Sequence, residues 1–111
     1  MPRALNLQAP SALRARAGSV ARLLGTASDL LGQADRARAY YQQAIEVCAR
    51  VRFRPEMALT RLCLAELLLK SYPGEQPEAQ AHLDFAIDEF RAMKMQPSLE
   101  RALRHKGLLH A

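Results

Sequence analysis

The sequence predicts an all-α protein in which helical hairpins stack along the chain. Three observations support this prediction. Helix-favouring Ala, Leu, Arg, Gln and Glu dominate the composition, whereas Val, Ile and Thr are scarce. Proline and glycine divide the chain into helix-length segments. One pair of segments recurs after about 42 residues, as in proteins built of stacked repeats. With 111 residues, the chain is long enough for one domain with a modest core.

Proline, glycine and one acidic residue indicate where each helix begins and ends. Residues 1–10 form a lead that is expected to be flexible, and Gly32 is expected to end the first helix. Asp35 is the expected N-cap of the second helix. Prolines stand at the first position of the three later helices, at Pro55, Pro77 and Pro97. The expected helices are 11–31, 35–51, 55–70, 77–94 and 97–109.

The spacing of apolar residues favours helices over strands. In the second and fourth segments, apolar residues recur three, four and seven positions apart, which places them on one helix face. They are Ala37, Tyr41, Ala44 and Cys48, and Ala79, Leu83, Ala86 and Phe90. The third segment is apolar on more than one face, so neighbours are expected to cover it on both sides. This segment is therefore the predicted centre of the molecule.

A shift of 42 positions aligns the second half of the sequence with the first. It superimposes these pairs: Gly32 and Gly74, Ala37 and Ala79, Ala44 and Ala86, Ile45 and Ile87, Pro55 and Pro97. The helices that precede these pairs align at a shift of 40, because two residues are inserted between 71 and 77, in a turn where insertions cost little. The expected units are repeat one at 11–54, repeat two at 55–96, and a trailing helix at 97–109 that caps the end.

The run from Leu24-Gly25 through Ala37 and Tyr41 to Ala44 resembles a tetratricopeptide repeat. The resemblance implies that Gly25 and Ala37 let two helices approach closely, that Tyr41 packs beneath them, and that Ala44 is the later small residue. The second copy of these four positions is Ala65, Ala79, Leu83 and Ala86. The resemblance also implies a right-handed superhelical stack of two helix pairs.

The long connections before Pro55 and Pro97 are similar to the extended repeats in the C-terminal regions of large bacterial regulators. These include MalT- and LuxR-like transcription activators and proteins with cyclase or ATPase domains. The resemblance implies a cytoplasmic protein-interaction or scaffolding module in a regulatory or signalling protein. The expected partner is a protein or peptide, held on the concave surface that the first helix of each pair lines. Candidate partner-binding residues there are Arg22, Ser28, Asp29, Arg61 and Glu66.

Two alternatives to this hypothesis remain open. The first is self-assembly, as a homodimer or by exchange of a helix, because a stack of two repeats leaves apolar ends. The second is nucleic-acid binding, because the net charge is +5 and thirteen residues are Arg. Its candidate basic patch is Arg50, Arg52, Arg54, Arg101, Arg104 and Lys106. Solvated helix faces and favourable charges at helix C-termini also account for these residues.

The sequence contains no pattern that predicts catalysis, a metal site or a cofactor. His82 follows Glu78 by four residues, a spacing that permits a hydrogen bond, but a solvent-facing polar stripe explains the pair. Asp84 and Asp88 share a face with no neighbouring acid–base partner. Cys48 and Cys63 lie in apolar surroundings and are expected to pack in the core without a disulfide, which fits a reducing cytoplasm. No apolar run approaches the roughly 18 residues that a membrane span needs.

Overall fold

The protein is all-α, as the sequence predicts. The computed structural model describes the backbone of residues 11–109 and the side chains of residues 16–107; the expected lead at 1–10 lies outside this range. The helices are α1 Ser11–Leu30, α2 Ala34–Val51, α3 Arg54–Ser71, α4 Gln76–Ala92 and α5 Gln96–Leu109. A single 3₁₀ turn, Pro73–Glu75, precedes α4. The described range contains no strand.

Glycine and proline end and begin these helices as their backbone chemistry dictates. Gly32 has a left-handed φ of 76° after α1, and the backbone N–H of Gln33 donates to the carbonyl of Ser28 at 2.9 Å, closing a Schellman motif. Prolines occupy the first turns of α3 and α4. Asp35 is not the N-cap of α2: Gln33 holds that position without a side-chain bond, and Asp35 lies in the first turn.

The backbone repeats with a period of 42 residues. Helices α2 and α4 begin at positions 34 and 76, and α3 and α5 begin at 54 and 96. The second helix of each pair also ends in the same way. Arg52 and Lys94 have left-handed φ values of 55° and 58°, and the following N–H groups, of Phe53 and Met95, donate to the carbonyls of Cys48 and Phe90.

One pair in the sequence alignment is not equivalent in the structure. Gly32 is the left-handed end of α1, whereas Gly74 lies inside the 3₁₀ turn and has no positive φ. The reason is the two-residue insertion that separates α3 from α4, which replaces the tight glycine turn by a longer one. The register of 42 therefore begins at the N-cap of the second helix, at Gln33 and Glu75.

Helix α3 is the centre of the molecule. It packs against α1, α2, α4 and α5, and most of its apolar residues are buried, on several faces, while Met57, Leu59 and Leu69 are half-buried. The repeat positions Ala37, Tyr41 and Ala44 are buried in the first hairpin, as are Ala79, Leu83 and Ala86 in the second, and Ala65 is buried on α3. Two hairpins, α1–α2 and α3–α4, thus stack through α3, and α5 packs on the second.

Gly25 lies directly against the ring of Tyr41. A methyl group added at Gly25 would be 2.6 Å from Cε1 of Tyr41, so only glycine fits without displacing the ring. The Tyr41 hydroxyl lies 3.1 Å from Oγ1 of Thr26, the residue that follows Gly25 in α1. The close approach of α1 and α2 is therefore set by a glycine and an aromatic ring. Leu24 is outside this contact, with 43% of its surface exposed, because it points away from α2.

Candidate interaction surfaces

The first helices of the hairpins, α1 and α3, are joined by a buried carboxylate. Glu56 is 4% exposed and accepts a hydrogen bond from Oγ of Ser19 at 2.7 Å. The Arg22 guanidinium forms an ion pair with the same carboxylate, and Thr60 donates to it from one turn further along α3. Burial lowers the pKa of Arg22, but the hydrogen bond and charge of Glu56 outweigh that effect and raise it. Glu56 therefore fixes α3 against α1.

Two further ion pairs continue the row of first helices. Lys70 donates to both carboxylate oxygens of Asp29, at 2.7 and 2.8 Å, and links α3 to α1 a second time. Glu66 accepts from Nε of Arg101 at 2.7 Å and lies 2.7 Å from Nε2 of His105, which links α3 to α5. The hydrogen bond from Arg101 to Glu66 outweighs burial and raises the pKa of Arg101. Successive first helices are therefore joined by paired charges along their length.

Arg61 faces the partner helix of its own hairpin. Its guanidinium carbon lies 4.1 Å from the centre of the Phe85 ring on α4, a cation–π distance. Its Nη1 lies 3.5 Å from Nδ1 of His82, while its buried Nε has no hydrogen-bond partner among the described residues. Burial lowers the pKa of Arg61. At the shift of 40, Arg61 corresponds to Ala21, which is buried, and Arg61 itself is half-buried, so this position faces inward in both hairpins.

The five candidate partner-binding residues are thus all engaged within the chain. Ser28 is only 5% exposed, and its carbonyl accepts the hydrogen bonds that end α1. The other four contact side chains of neighbouring helices: Arg22, Asp29, Arg61 and Glu66. The helical pattern predicts the helices that carry these residues, but the long-range partners lie 21 to 41 positions away in the chain and have no local signal. A partner would have to compete with these contacts.

The candidate basic patch is divided in the structure. Three of its six residues are paired: Arg54 with Glu89, Arg101 with Glu66, and Lys106 with Asp84. The Arg54 pair is exposed and bidentate, with both distances 2.9 Å. Arg50, Arg52 and Arg104 are exposed. These three lie in two groups, at the end of α2 and on α5, and form no ion pair with described residues.

His82 and Glu78 are within hydrogen-bond reach, as their spacing allows, but His82 does not face solvent. Its Nε2 lies 3.3 Å from Oε2 of Glu78, and its side chain is 14% exposed beside Arg61. Burial lowers the pKa of His82, and the charge of Arg61 adds to that effect. Together with Leu64 and Ile45, His82 and Glu78 line an open groove of about 310 Å³ between α2 and α4.

The two cysteines lie in the core as free thiols. Cys48 and Cys63 are free and buried, and burial raises the pKa of the Cys48 thiol to about 11. Among the described residues, no group of three His, Cys, Asp or Glu side chains is placed to hold a metal ion. Within the same part of the chain, no helix combines the length and apolar character that a bilayer span requires.

Most of the large apolar side chains that are exposed among the described residues lie on α1. Of the seven large hydrophobic side chains that are exposed in the described range, five belong to this helix or its last turn, with exposures from 43% to 83%. With the exposed Ala27 they follow helical spacing on one face. We call this surface the α1 stripe: Val20, Leu23, Leu24, Ala27, Leu30 and Leu31. Isolated exposed leucines are ordinary, whereas contiguous apolar patches are the kind of surface that interaction sites use.

The repeat explains what kind of surface the α1 stripe is. At the shift of 40 its first four positions correspond to Thr60, Cys63, Leu64 and Leu67, which are all buried on α3. This face of α3 is turned towards the first hairpin, since Glu56 and Lys70 at its edges pair with Arg22 and Asp29 of α1. The first four positions of the α1 stripe are therefore equivalent to positions of α3 that the first hairpin covers, whereas Leu30 and Leu31 correspond to Lys70 and Ser71, which are exposed.

The other end of the stack is different. The exposed positions of α5 include Glu100, Arg104 and Gly107, and Leu103, at 39%, is the one large apolar side chain exposed on the described part of this helix. Among the described residues, α5 therefore exposes a mostly polar face, whereas α1 exposes an apolar one. The sequence indicates this asymmetry through the apolar residues of the first helix, which stand at positions whose equivalents on α3 are buried.

Comparison with known proteins gives no relative: no family model, no curated protein and no solved structure matches this chain.

Proposed function

We propose that this chain is a protein-interaction module of tetratricopeptide-like hairpins that binds its partner through the α1 stripe. The observation that carries the proposal is the exposure of five large apolar side chains on a single helix face. Burying such side chains is worth on the order of 1 kcal/mol or more each, so a partner that covers the stripe gains substantial free energy.

The form of the stripe favours a helical partner. Its α3 equivalent is covered by helices, and its residues are spaced for ridge-into-groove packing with another helix. The surface along α1, α3 and α5 that holds the ion pairs is less suited to binding, because its charged side chains already neutralise each other within the chain. The proposed binding surface is therefore the exposed apolar face of α1 and not the surface of paired charges that the sequence predicts.

The proposal includes the class of the repeat, the cellular location and a role in binding without catalysis. Membership in the tetratricopeptide class is supported by the 42-residue backbone register, by the buried alanines Ala37 and Ala79, and by Gly25 against Tyr41. A cytoplasmic place in a bacterial regulatory or signalling protein is supported by the resemblance of the extended repeats. A binding role without catalysis is supported by the structural contacts of His82, Glu78 and Asp84.

Nucleic-acid binding has less support. A basic surface that binds phosphates needs unpaired charges on one face. Half of the candidate basic residues are held by carboxylates, and the rest lie in two separate groups.

Site-specific photo-crosslinking in the native cell tests the proposal. The photoreactive residue p-benzoylphenylalanine is placed at Ala27 in the stripe or, as a matched control, at the exposed Ala81 of α4. We expect an adduct of discrete mass from position 27 that disappears when Leu23→Glu is added, and none from position 81. Equal labelling at both positions, or no discrete adduct at 27, would contradict the proposed function.

A further inference from the structure

We infer that the partner on the α1 stripe is a second copy of this chain, with the two α1 helices packed antiparallel about a two-fold axis between Leu23 and Leu24. This inference rests on the proposed function, because it identifies the occupant of the same surface. It is carried by three features of the described residues: the blocked end of the stack, the sizes of the side chains on the stripe, and the position of Arg16 one turn before it.

The blocked end excludes head-to-tail stacking of copies. In the repeat, the surface that receives a new first helix is the side of the preceding hairpin: α3 lies on α1–α2, and α5 lies on α3–α4. Both receiving surfaces are therefore occupied within the chain. The α1 stripe of one copy has no equivalent receiving surface on another copy. Two copies can then bury it only against the same stripe, which gives an isologous, closed dimer.

The side chains of the stripe are complementary in size when the helix meets itself antiparallel. A two-fold axis between Leu23 and Leu24 pairs Leu23 with the partner's Leu24. It pairs Val20 with the partner's Ala27, and Ala17 with the partner's Leu30. Each outer pair joins a large side chain to an alanine, so the helices can approach closely without overlap. A parallel arrangement would instead place Leu30 beside the partner's Leu30 and leave Ala27 facing the partner's Ala27.

The charge at the edge of the stripe also favours this arrangement. The six residues of the stripe are uncharged, and Arg16 lies one turn before them, while Arg22 and Asp29 on the same helix are paired with Glu56 and Lys70 of α3. Antiparallel packing places Arg16 near the partner's Leu31, at the C-terminal end of the partner's α1. That end carries no basic residue in its last turn, so its carbonyl dipoles attract the guanidinium.

The same charge opposes a preceding hairpin of the kind present here. On α3 the position equivalent to Arg16 is Glu56, which pairs with Arg22 of the first hairpin. If a preceding hairpin carried arginine at the position equivalent to Arg22, that arginine would face Arg16 of α1, and the two positive charges would repel each other. The stripe is thus adapted to a different neighbour from the one that covers α3, and the antiparallel second copy avoids the repulsion.

Sedimentation equilibrium of the purified chain tests the inference. We expect a dimer with a dissociation constant of about 10 µM or below. Leu23→Glu should raise that constant at least a hundredfold, whereas Leu103→Glu on the exposed face of α5 should leave it unchanged. Leu23 is more than half exposed, so the substitution keeps the fold, which circular dichroism verifies.

Disulfide trapping tests the geometry. Equal amounts of the Arg16→Cys and Leu31→Cys variants are mixed and oxidised. Antiparallel packing predicts a crosslink between the two variants and none within Arg16→Cys alone, because its two copies would lie at opposite ends of the interface. A crosslink confined to Arg16→Cys would overturn the antiparallel arrangement.

A monomer at all concentrations would overturn the inference. If position 27 then still crosslinks to a different protein in the cell, the proposed function stands and only the identity of the occupant is wrong. If the chain is monomeric and position 27 gives no adduct, both proposals fail.

Discussion

Arg52 and Lys94 occupy the same left-handed backbone position, 42 residues apart, at the C-terminal ends of α2 and α4. Neither residue is glycine, although the left-handed region normally costs a side-chain-bearing residue about 1 kcal/mol. The hydrogen bonds to Cys48 and Phe90 that follow them are also equivalent. The repeat is thus present in backbone geometry at positions where the two sequences differ.

This strain predicts that glycine at either position stabilises the protein. We expect Arg52→Gly and Lys94→Gly each to raise the free energy of unfolding by about 0.5–1 kcal/mol, since the relieved strain exceeds the extra flexibility of the unfolded chain. Urea unfolding measures the effect. The matched control is Arg50→Gly in the last turn of α2, which should lower stability by about 0.5–1 kcal/mol. Loss of stability in all three variants would contradict the assignment.

Gly25 is predicted to tolerate no side chain. A methyl group there would meet the Tyr41 ring at 2.6 Å, so Gly25→Ala should cost about 1–3 kcal/mol of unfolding free energy. Gly107 in α5 has open space around it, and Gly107→Ala should stabilise the protein by about 0.5–1 kcal/mol through helix propensity. Thermal unfolding of the two variants checks both signs. A neutral Gly25→Ala would mean that α1 and α2 are not in close contact.

The buried carboxylate of Glu56 is predicted to be a major link between the hairpins. Glu56→Gln removes the negative charge that faces Arg22 and weakens the bonds from Ser19 and Thr60. We expect it to lower the free energy of unfolding by about 1–3 kcal/mol. The comparison is Glu89→Gln, which breaks the exposed pair with Arg54 and should have little effect. Similar losses in both variants would argue against a special role for Glu56.

Burial of His82 predicts a stability that falls in mild acid. Burial lowers its pKa in the folded protein below the ordinary value near 6.5, with the charges of Arg61 and Arg38 adding and Glu78 opposing. The unfolded chain therefore binds the proton more readily than the folded protein. The free energy of unfolding is unaffected by this proton above about pH 6.5 and decreases as the pH falls below that value. His82→Gln should remove this decrease. The measurement is the difference in unfolding free energy between the wild type and this variant at pH 7.5 and 5.5; an unchanged difference would count against the assignment.

The sequence predicted the helices and much of the core because both depend on local signals. Prolines and glycines mark the helix ends within one or two residues, and the alanines of the repeat, such as Ala37 and Ala79, are fully buried. The spacing of apolar residues identified α3 as the central helix because a helix that is apolar on several faces needs neighbours on several sides.

The interaction surfaces could not be predicted in the same way. The role of Glu56 is not visible in the sequence, because its partner Arg22 lies 34 positions away and no local pattern indicates their contact. Leu24 stands beside Gly25 in the run that resembles a tetratricopeptide repeat, but adjacent residues on a helix point about 100° apart, so Leu24 is exposed while Gly25 packs on Tyr41. The α1 stripe becomes visible only when α1 is compared with the buried equivalent on α3.

The central claim is that the α1 stripe is buried between two copies of the chain. The most direct measurement is the melting temperature as a function of protein concentration, because dimerisation stabilises the folded state by mass action. Over a hundredfold range of concentration above the dissociation constant, we predict a rise of about 5 °C for the wild type and for Leu103→Glu. Leu23→Glu should show none. A wild-type melting temperature that does not change with concentration would contradict the claim.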